Sequence, residues 1–359
     1  MTSDGADADD AGERRDTVAP RVRPIVKLAI GGAVGVAAVA VVVSTAGGIG
    51  DAVHAIGRMR PGFVALAVVF AFGRLALFGL QLRVLGRRTG PLSAGTAFAL
   101  ALVIYGLGAM TPASPAEGLA IANRELRHRG RTKQQARMTC GFSEWFTQRT
   151  FYGIAALDLI VVVALGHLAS ADSWPLIAVA FVVLLALAGS ATVASRPGSA
   201  IWLSRVLAAI RIRKPQPPIE IRQQSAIVWH ANAMALVGPP RNRARLALLS
   251  SSAVVADAAT LWATCHAAGF HIHPELALLG ITVGTMVTWV PLLPGGLGLV
   301  EAAIPTVLHR FGAPLDDALA ATLVYRAAGA ILPALAGGVA IPVLRVRRTT
   351  PTDRIQQSN

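Results

Sequence analysis

Six runs of about twenty apolar residues punctuate this chain, at 25–46, 62–82, 149–168, 175–195, 246–268 and 317–342. A helix rises about 1.5 Å per residue, so each run is long enough to cross the roughly 30 Å hydrocarbon layer of a bilayer. Composition agrees: 54% of the 359 residues are hydrophobic and 14% are charged, where soluble chains carry about 25% charged residues. A soluble enzyme is excluded on these grounds. A transmembrane β-barrel would need segments of about ten residues alternating apolar and polar, whereas Val36–Val43 is continuously apolar. The expected fold is an all-α, polytopic integral membrane protein.

The basic residues set the topology. They cluster at 14–27, 83–88, 124–137, 196–245 and 345–348, and the positive-inside rule places such clusters in the cytoplasm. If 92–110 crossed once, Arg124, Arg127, Arg129, Arg131, Lys133 and Arg137 would face away from the cluster at 83–88. The conflict disappears if the run 92–128, interrupted by Pro and Gly, goes in and returns on the cytoplasmic side. The broken run 276–308 must likewise go in and return from the outer side for Arg345 to Arg348 to end inside. Each broken run is either a re-entrant hairpin or two full crossings, and parity treats these alike. The expectation is about six full spans plus two re-entrant helical hairpins, with only Arg58, Arg60 and Arg310 left outside.

An internal repeat follows. Span 62–82, hairpin 92–128 and span 149–168 form one unit, and span 246–268, hairpin 276–308 and span 317–342 form the second. The hairpins open on opposite sides, so the units are inverted repeats, a plan recurrent in secondary transporters. Residues 1–24, acidic from Asp4 to Asp16 and then basic at Arg21 and Arg23, read as a cytoplasmic tail, and residues 346–359 as a second. Between them lies a transmembrane domain, 25–345. Its proline-rich segment 196–245 reads as cytoplasmic, with an amphipathic helix at 200–210 carrying Trp202, Leu203, Val206, Leu207 and Ile210. The formal net charge of +14 fits loops facing lipid phosphates better than it fits nucleic acid.

Chemistry concentrates at the breaks. In Pro291–Glu301 the residues Gly295, Gly296 and Gly298 permit close backbone approach, and the free amides of a new helix start suit a phosphate or carboxylate. Glu301 sits in that first turn, where it either caps its own helix or marks a cation or proton site. Thr111–Gly118 repeats the layout, with Glu117 at a helix start. Charges inside spans cost about 2.5–3.5 kcal/mol each and need a partner or a wet cavity; these are Arg74, Asp257 and Arg326, with Glu144 and Arg149 near the start of another span. The available pairings are Glu301 or Asp257 with Arg326, and Glu117 or Glu144 with Arg74 or Arg149. Either these pairs only hold helices together, or Arg74 and Arg326 bind a lipid phosphate, with Tyr325 and Trp289 lining the cavity. His266, His271, His273 and Glu275 lack a third ligand of clear geometry, so no metal is assigned. The two cysteines, Cys140 and Cys265, form no close-spaced pair. No Walker loop or nucleophile elbow is present, so no cofactor or enzymatic activity is expected.

The stretch Pro294-Gly295-Gly296-Leu297-Gly298-Leu299-Val300-Glu301, followed in the next span by Tyr325-Arg326, resembles the signature of the transmembrane region of lysylphosphatidylglycerol synthases, the flippase part of the multiple peptide resistance factor and its stand-alone relatives. The resemblance extends over about 25–345. Glu117 matches a family position although the order around it differs, and Glu144 to Arg149 approximates the family's Glu-Arg pair, which brings in Arg149. The resemblance implies two pseudo-symmetric halves and translocation of an anionic phospholipid or polyprenyl-linked lipid across the bacterial inner membrane, with both termini cytoplasmic. No aminoacyl-transferase domain is expected here. The resulting set of substrate-binding candidates is Arg74, Glu117, Arg149, Asp257, Gly295, Gly296, Gly298, Glu301, Tyr325 and Arg326. The competing reading is a membrane scaffold that positions an envelope-building enzyme through 196–245.

Overall fold

A computed structural model describes residues 54–106, 115–167, 170–195, 219–288 and 298–346. Among these the regular elements are helices throughout: α1 (Pro61–Gly86), α2 (Ala94–Ala101) running into a π-helical segment (Leu102–Gly106), α3 (Pro115–His128), α4 (Lys133–Ala164), α5 (Ser170–Ser195), α6 (Ile219–Val237), α7 (Pro240–Ala267), α8 (Pro274–Val287), α9 (Leu299–Arg310), α10 (Leu315–Arg326), a second π-helical segment (Ala327–Ile331) and α11 (Leu332–Val346). Four stretches are long and apolar enough to cross a bilayer: Pro61–Gly86, Lys133–Ala164, Pro240–Ala267 and Leu315–Leu344. The run at 25–46 and the amphipathic stretch 200–210 lie outside the described residues, as do both tails.

Along the first half of α1 small residues face inward and a larger apolar one faces outward. In α1, Ala67 and Ala71 are fully buried while Val69 between them is 65% exposed, the arrangement expected where lipid, not water, bathes the outside and close helix contact supplies the packing. α1 and α7 lie against one another along their length, antiparallel, since the Arg60 N–H at the start of one donates to the Ala267 carbonyl at the end of the other (3.0 Å). These two helices open the two repeat units, so the repeats meet along this pair.

The hairpins return to the side from which they start. Arg131, just after α3, is buried; its Nη2 donates to the carbonyls of Gly86, Gly90 and Pro91 (each 3.2 Å) and its Nε to Thr89 Oγ1 (3.0 Å), at the end of α1 and in the turn from it to α2. Gly130, at φ +81°, supplies the left-handed turn that swings Arg131 back. Burial, then the neighbouring Arg129, lowers the Arg131 pKa. Arg131→Gln should cost about 1.5–3 kcal/mol by leaving several carbonyls without a charged donor, seen as a lower midpoint in thermal unfolding of the detergent-solubilised protein.

At the other end, His167 beyond α4 contacts both Glu275 at the start of α8 (Nε2 to Oε1, 3.2 Å) and the ring of Phe311 just past α9 (6.2 Å). The two hairpins therefore open at opposite ends of α4. α8 has 14 residues, α9 has 12 and α3 has 14, lengths of roughly 18–21 Å that fall short of a bilayer core. Such legs suit hairpins that turn back near mid-depth.

The structure corrects one sequence expectation and adds detail to two others. The span placed at 149–168 begins at Lys133, where Thr132 and Gln135 form a reciprocal cap: Gln135 N–H to Thr132 Oγ1 is 3.2 Å and Thr132 N–H to Gln135 Oε1 is 3.1 Å. The polar stretch containing Glu144 thus belongs to the same helix. Within 196–245 lies α6, whose Ala233, Leu236 and Val237 pack with Leu85, Met138 and Leu246, and 240–245 form the first turns of α7. Finally, the last span holds a π-helical segment that no apolar periodicity announces.

Candidate functional site

Arg74 lies near the middle of α1, roughly 18–20 Å from either end, and its guanidinium is largely buried. Nη1 meets Asp257 Oδ1 of α7 at 2.8 Å, and Nη2 donates to the Gly329 carbonyl within the second π-helical segment, also at 2.8 Å. The Tyr325 hydroxyl donates to the same Asp257 Oδ1 (3.2 Å). Next along the chain, Arg326 Nε donates to Glu301 Oε1 (2.8 Å), while Glu301 Oε2 accepts the Gly298 N–H (2.7 Å) at the start of α9. Gly298 takes φ +86°, a conformation that admits glycine far more readily than other residues.

Two arginines and two carboxylates thus form a neutral chain across α1, α7, α9 and α10, at the seam between the repeats. Side-chain exposures of 10–16% at the four charges make each pair costly to break and explain why neither arginine stands alone. Arg74 Nε is buried with no hydrogen-bond partner, which leaves one strong donor in the site unspent.

The pairings differ in part from those anticipated. Glu301 pairs with Arg326, one of the alternatives. The partner of Arg74 is Asp257, not Glu117 or Glu144, because the contact between α1 and α7 turns both residues into one seam. Glu144 instead accepts the Tyr105 hydroxyl (Oε2, 3.1 Å) and the Gln148 amide (Oε1, 2.6 Å). Arg149 stands over the Trp145 ring, 5.2 Å from its centroid. Glu117 is exposed in the first turn of α3 and joins none of the described pairs, although it and Glu301 occupy the same third position of their helices. Gly295, Gly296 and Trp289 lie outside the described residues.

Tyr105, Gly329 and Gln81 were not anticipated. The chain has only three tyrosines, and two of them, Tyr105 and Tyr325, hand their hydroxyls to inward-facing carboxylates; scarcity inside apolar runs was the available signal. Gln81, fully buried, ties three helices together: its Nε2 donates to the Ser143 carbonyl (2.7 Å) and its Oε1 accepts from Ser250 Oγ (2.8 Å). The first π-helical segment, a geometry frequent at functional sites, packs chiefly against α11. A Cβ on Gly106 would fall on the Pro333 carbonyl. Among the described residues no group of three His, Cys, Asp or Glu is placed to hold a metal ion.

The sequence model for the lysylphosphatidylglycerol synthase TM region matches residues 25–337. The chain belongs to this family. Lysylphosphatidylglycerol synthase transmembrane regions are flippase-like membrane domains, distinct from the catalytic part of the synthases, and the match takes in the first repeat unit, the second as far as residue 337 and every charge of the central network. Comparison with curated proteins gives no match.

Proposed function

We propose that this protein is a flippase-like transporter that moves an anionic phospholipid or polyprenyl-linked lipid headgroup across the bacterial cytoplasmic membrane, and that it is not an enzyme. The observation that carries the reading is the neutral Arg74–Asp257 and Glu301–Arg326 network at mid-depth on the seam between two oppositely opening hairpins. Secondary transporters built from inverted repeats bind substrate at such a seam, on interrupted helices. Family membership supports the same reading.

The network suits an exchange of partners. A headgroup phosphate entering the seam replaces a carboxylate on Arg74 or Arg326, because guanidinium holds either anion through paired donors. The released Asp257 or Glu301 takes a proton, and no charge is left alone in a poorly solvated place. Glu301 has a second part: its carboxylate occupies the Gly298 amide, and moving it frees a helix start for the phosphate. Gly329 and the neighbouring π-helical turns give the backbone room to follow.

The sidedness proposed here puts both termini in the cytoplasm. Arg83, Arg87, Arg88, Arg131, Lys133, Arg241 and Arg245 belong to the helix ends and turns at one end of the bundle, as the positive-inside rule requires.

Proteoliposomes containing labelled anionic and polyprenyl-linked lipids test the function by headgroup exposure to an impermeant reagent. Wild type should expose one class at a rate that Glu301→Gln cuts at least tenfold without loss of insertion. Exposure that is the same with and without protein, for every lipid offered, would overturn transport. A scaffold acting through 196–245 would then become the reading to pursue, by crosslinking.

A further inference from the structure

A second cluster of arginines lies away from the central network, at the arginine-rich end of the α1–α7 seam. Two adjoining cavities of about 180 Å³ and 590 Å³ share Asn242 and Arg245 and form one cleft. Its walls carry Arg83, Arg87 and Arg88 from α1 and the turn after it, and Arg241 and Arg245 from the first turns of α7. No carboxylate lines the cleft, and none of these five guanidiniums is in an ion pair among the described residues. Arg243 is not among the lining residues, and its Nε donates to the Gly238 carbonyl (3.2 Å).

Like charges gathered this closely raise one another's energy unless an anion sits among them. The rest of the lining says which kind. Leu80 lies three residues toward the membrane interior from Arg83, and Leu248 three residues inward from Arg245, so each shares a face with its arginine. Both leucines line the cleft, and they are 38% and 67% exposed. The cleft is basic at its rim and apolar below. A free phosphate uses only the rim. A phospholipid uses both levels, its phosphodiester among the arginines and an acyl chain along Leu80 and Leu248.

The geometry points to a binding site for an anionic phospholipid at this end of the α1–α7 seam, separate from the central network and independent of whether the protein transports lipid. Arg83 is nine residues from Arg74, roughly 13 Å along α1, so one headgroup does not reach both. The lipid bridges the mouth of the seam and ties the two repeats together there, and basic pockets between transmembrane helices suit this class of ligand.

The test titrates the purified full-length protein in detergent with phosphatidylglycerol or phosphatidylcholine and counts retained lipid by native mass spectrometry. Phosphatidylglycerol should be held in preference to phosphatidylcholine, and Arg83→Gln with Arg245→Gln should weaken the tightest phosphatidylglycerol on the order of tenfold. Glu301→Gln should leave that lipid in place. If Glu301→Gln removes it and the arginine variant does not, the lipid sits in the central network and the proposal falls. Equal retention of the two lipids also overturns it, as does displacement by millimolar inorganic phosphate, which would identify a phosphate site. Should the double variant fail to fold, Arg245→Gln alone, at an exposed side chain, carries the same comparison. Transport is not the readout, so an absence of translocation leaves this site standing.

Discussion

Asp257→Ala should destabilise the protein by about 3–5 kcal/mol, the effect of removing one partner from a buried ion pair and leaving the other charge in a poorly solvated place. The stranded group is Arg74, which keeps only the Gly329 carbonyl, while the Tyr325 hydroxyl loses its acceptor. Thermal unfolding in detergent measures the loss, and a variant as stable as wild type would show that the pair holds nothing together. The double substitution Arg74→Met with Asp257→Leu separates stability from function. Two apolar side chains of similar bulk should recover most of the stability, because no charge remains to be neutralised. They should not recover headgroup translocation, which in the proposed exchange of partners needs the guanidinium. Full transport by the double variant would assign the Arg74–Asp257 pair to structure alone.

Gly118→Val should have the second largest effect. Gly118 faces the other leg of its hairpin so closely that a Cβ would lie 2.7 Å from the Ile104 Cα and from the carbonyl oxygens of Ile104 and Val103. Those are backbone atoms of the first π-helical segment, and no rotamer change relieves the clash. Overpacking costs about 1–3 kcal/mol where side chains can adjust, so a clash with backbone belongs at or beyond the top of that range. The legs must separate, and Tyr105 must move off Glu144. Gly141→Val is the control, since a Cβ there has nothing within 4 Å. Equal unfolding midpoints for the two variants would show that the legs are not locked by close approach. The second hairpin has a softer version of this contact, with Gly280 and Gly284 four residues apart and a Cβ on Gly284 placed 2.9 Å from the Ile304 side chain. A side chain yields there more readily, so Gly284→Ala should cost less than Gly118→Ala in the same assay.

Much of the architecture was legible before any coordinates. Apolar length identifies a span because transfer into hydrocarbon is a local, nearly additive property of about twenty residues. The parity of the arginine clusters required both broken runs to return to the side they came from, and the contacts of Arg131 and His167 have that geometry. Glu301 with Arg326 was within reach as well, as a helix-start carboxylate and a mid-span arginine, both expensive to leave alone.

Other features were beyond the sequence. The start of α4 was placed sixteen residues late because its first half is too polar to register as a span, and it is helical through the Thr132 cap and the packing of Met138, Cys140 and Phe146. Which carboxylate meets Arg74 depends on how far α1 and α7 are rotated about their axes, and one residue of register turns a side chain by about 100°. On α1 that rotation is limited by where small residues let backbones touch, as at Gly79 against Phe98. The sequence by itself determined that the chain is a bundle of membrane helices with two broken runs that return to the side they start from and with uncompensated charges to pair, because hydrophobic length and charge are properties each segment carries alone. Only the tertiary structure decided which charges pair, that Tyr105 and Tyr325 serve carboxylates, and that arginines from two repeats share one cleft, because distance between helices is a property of their packing.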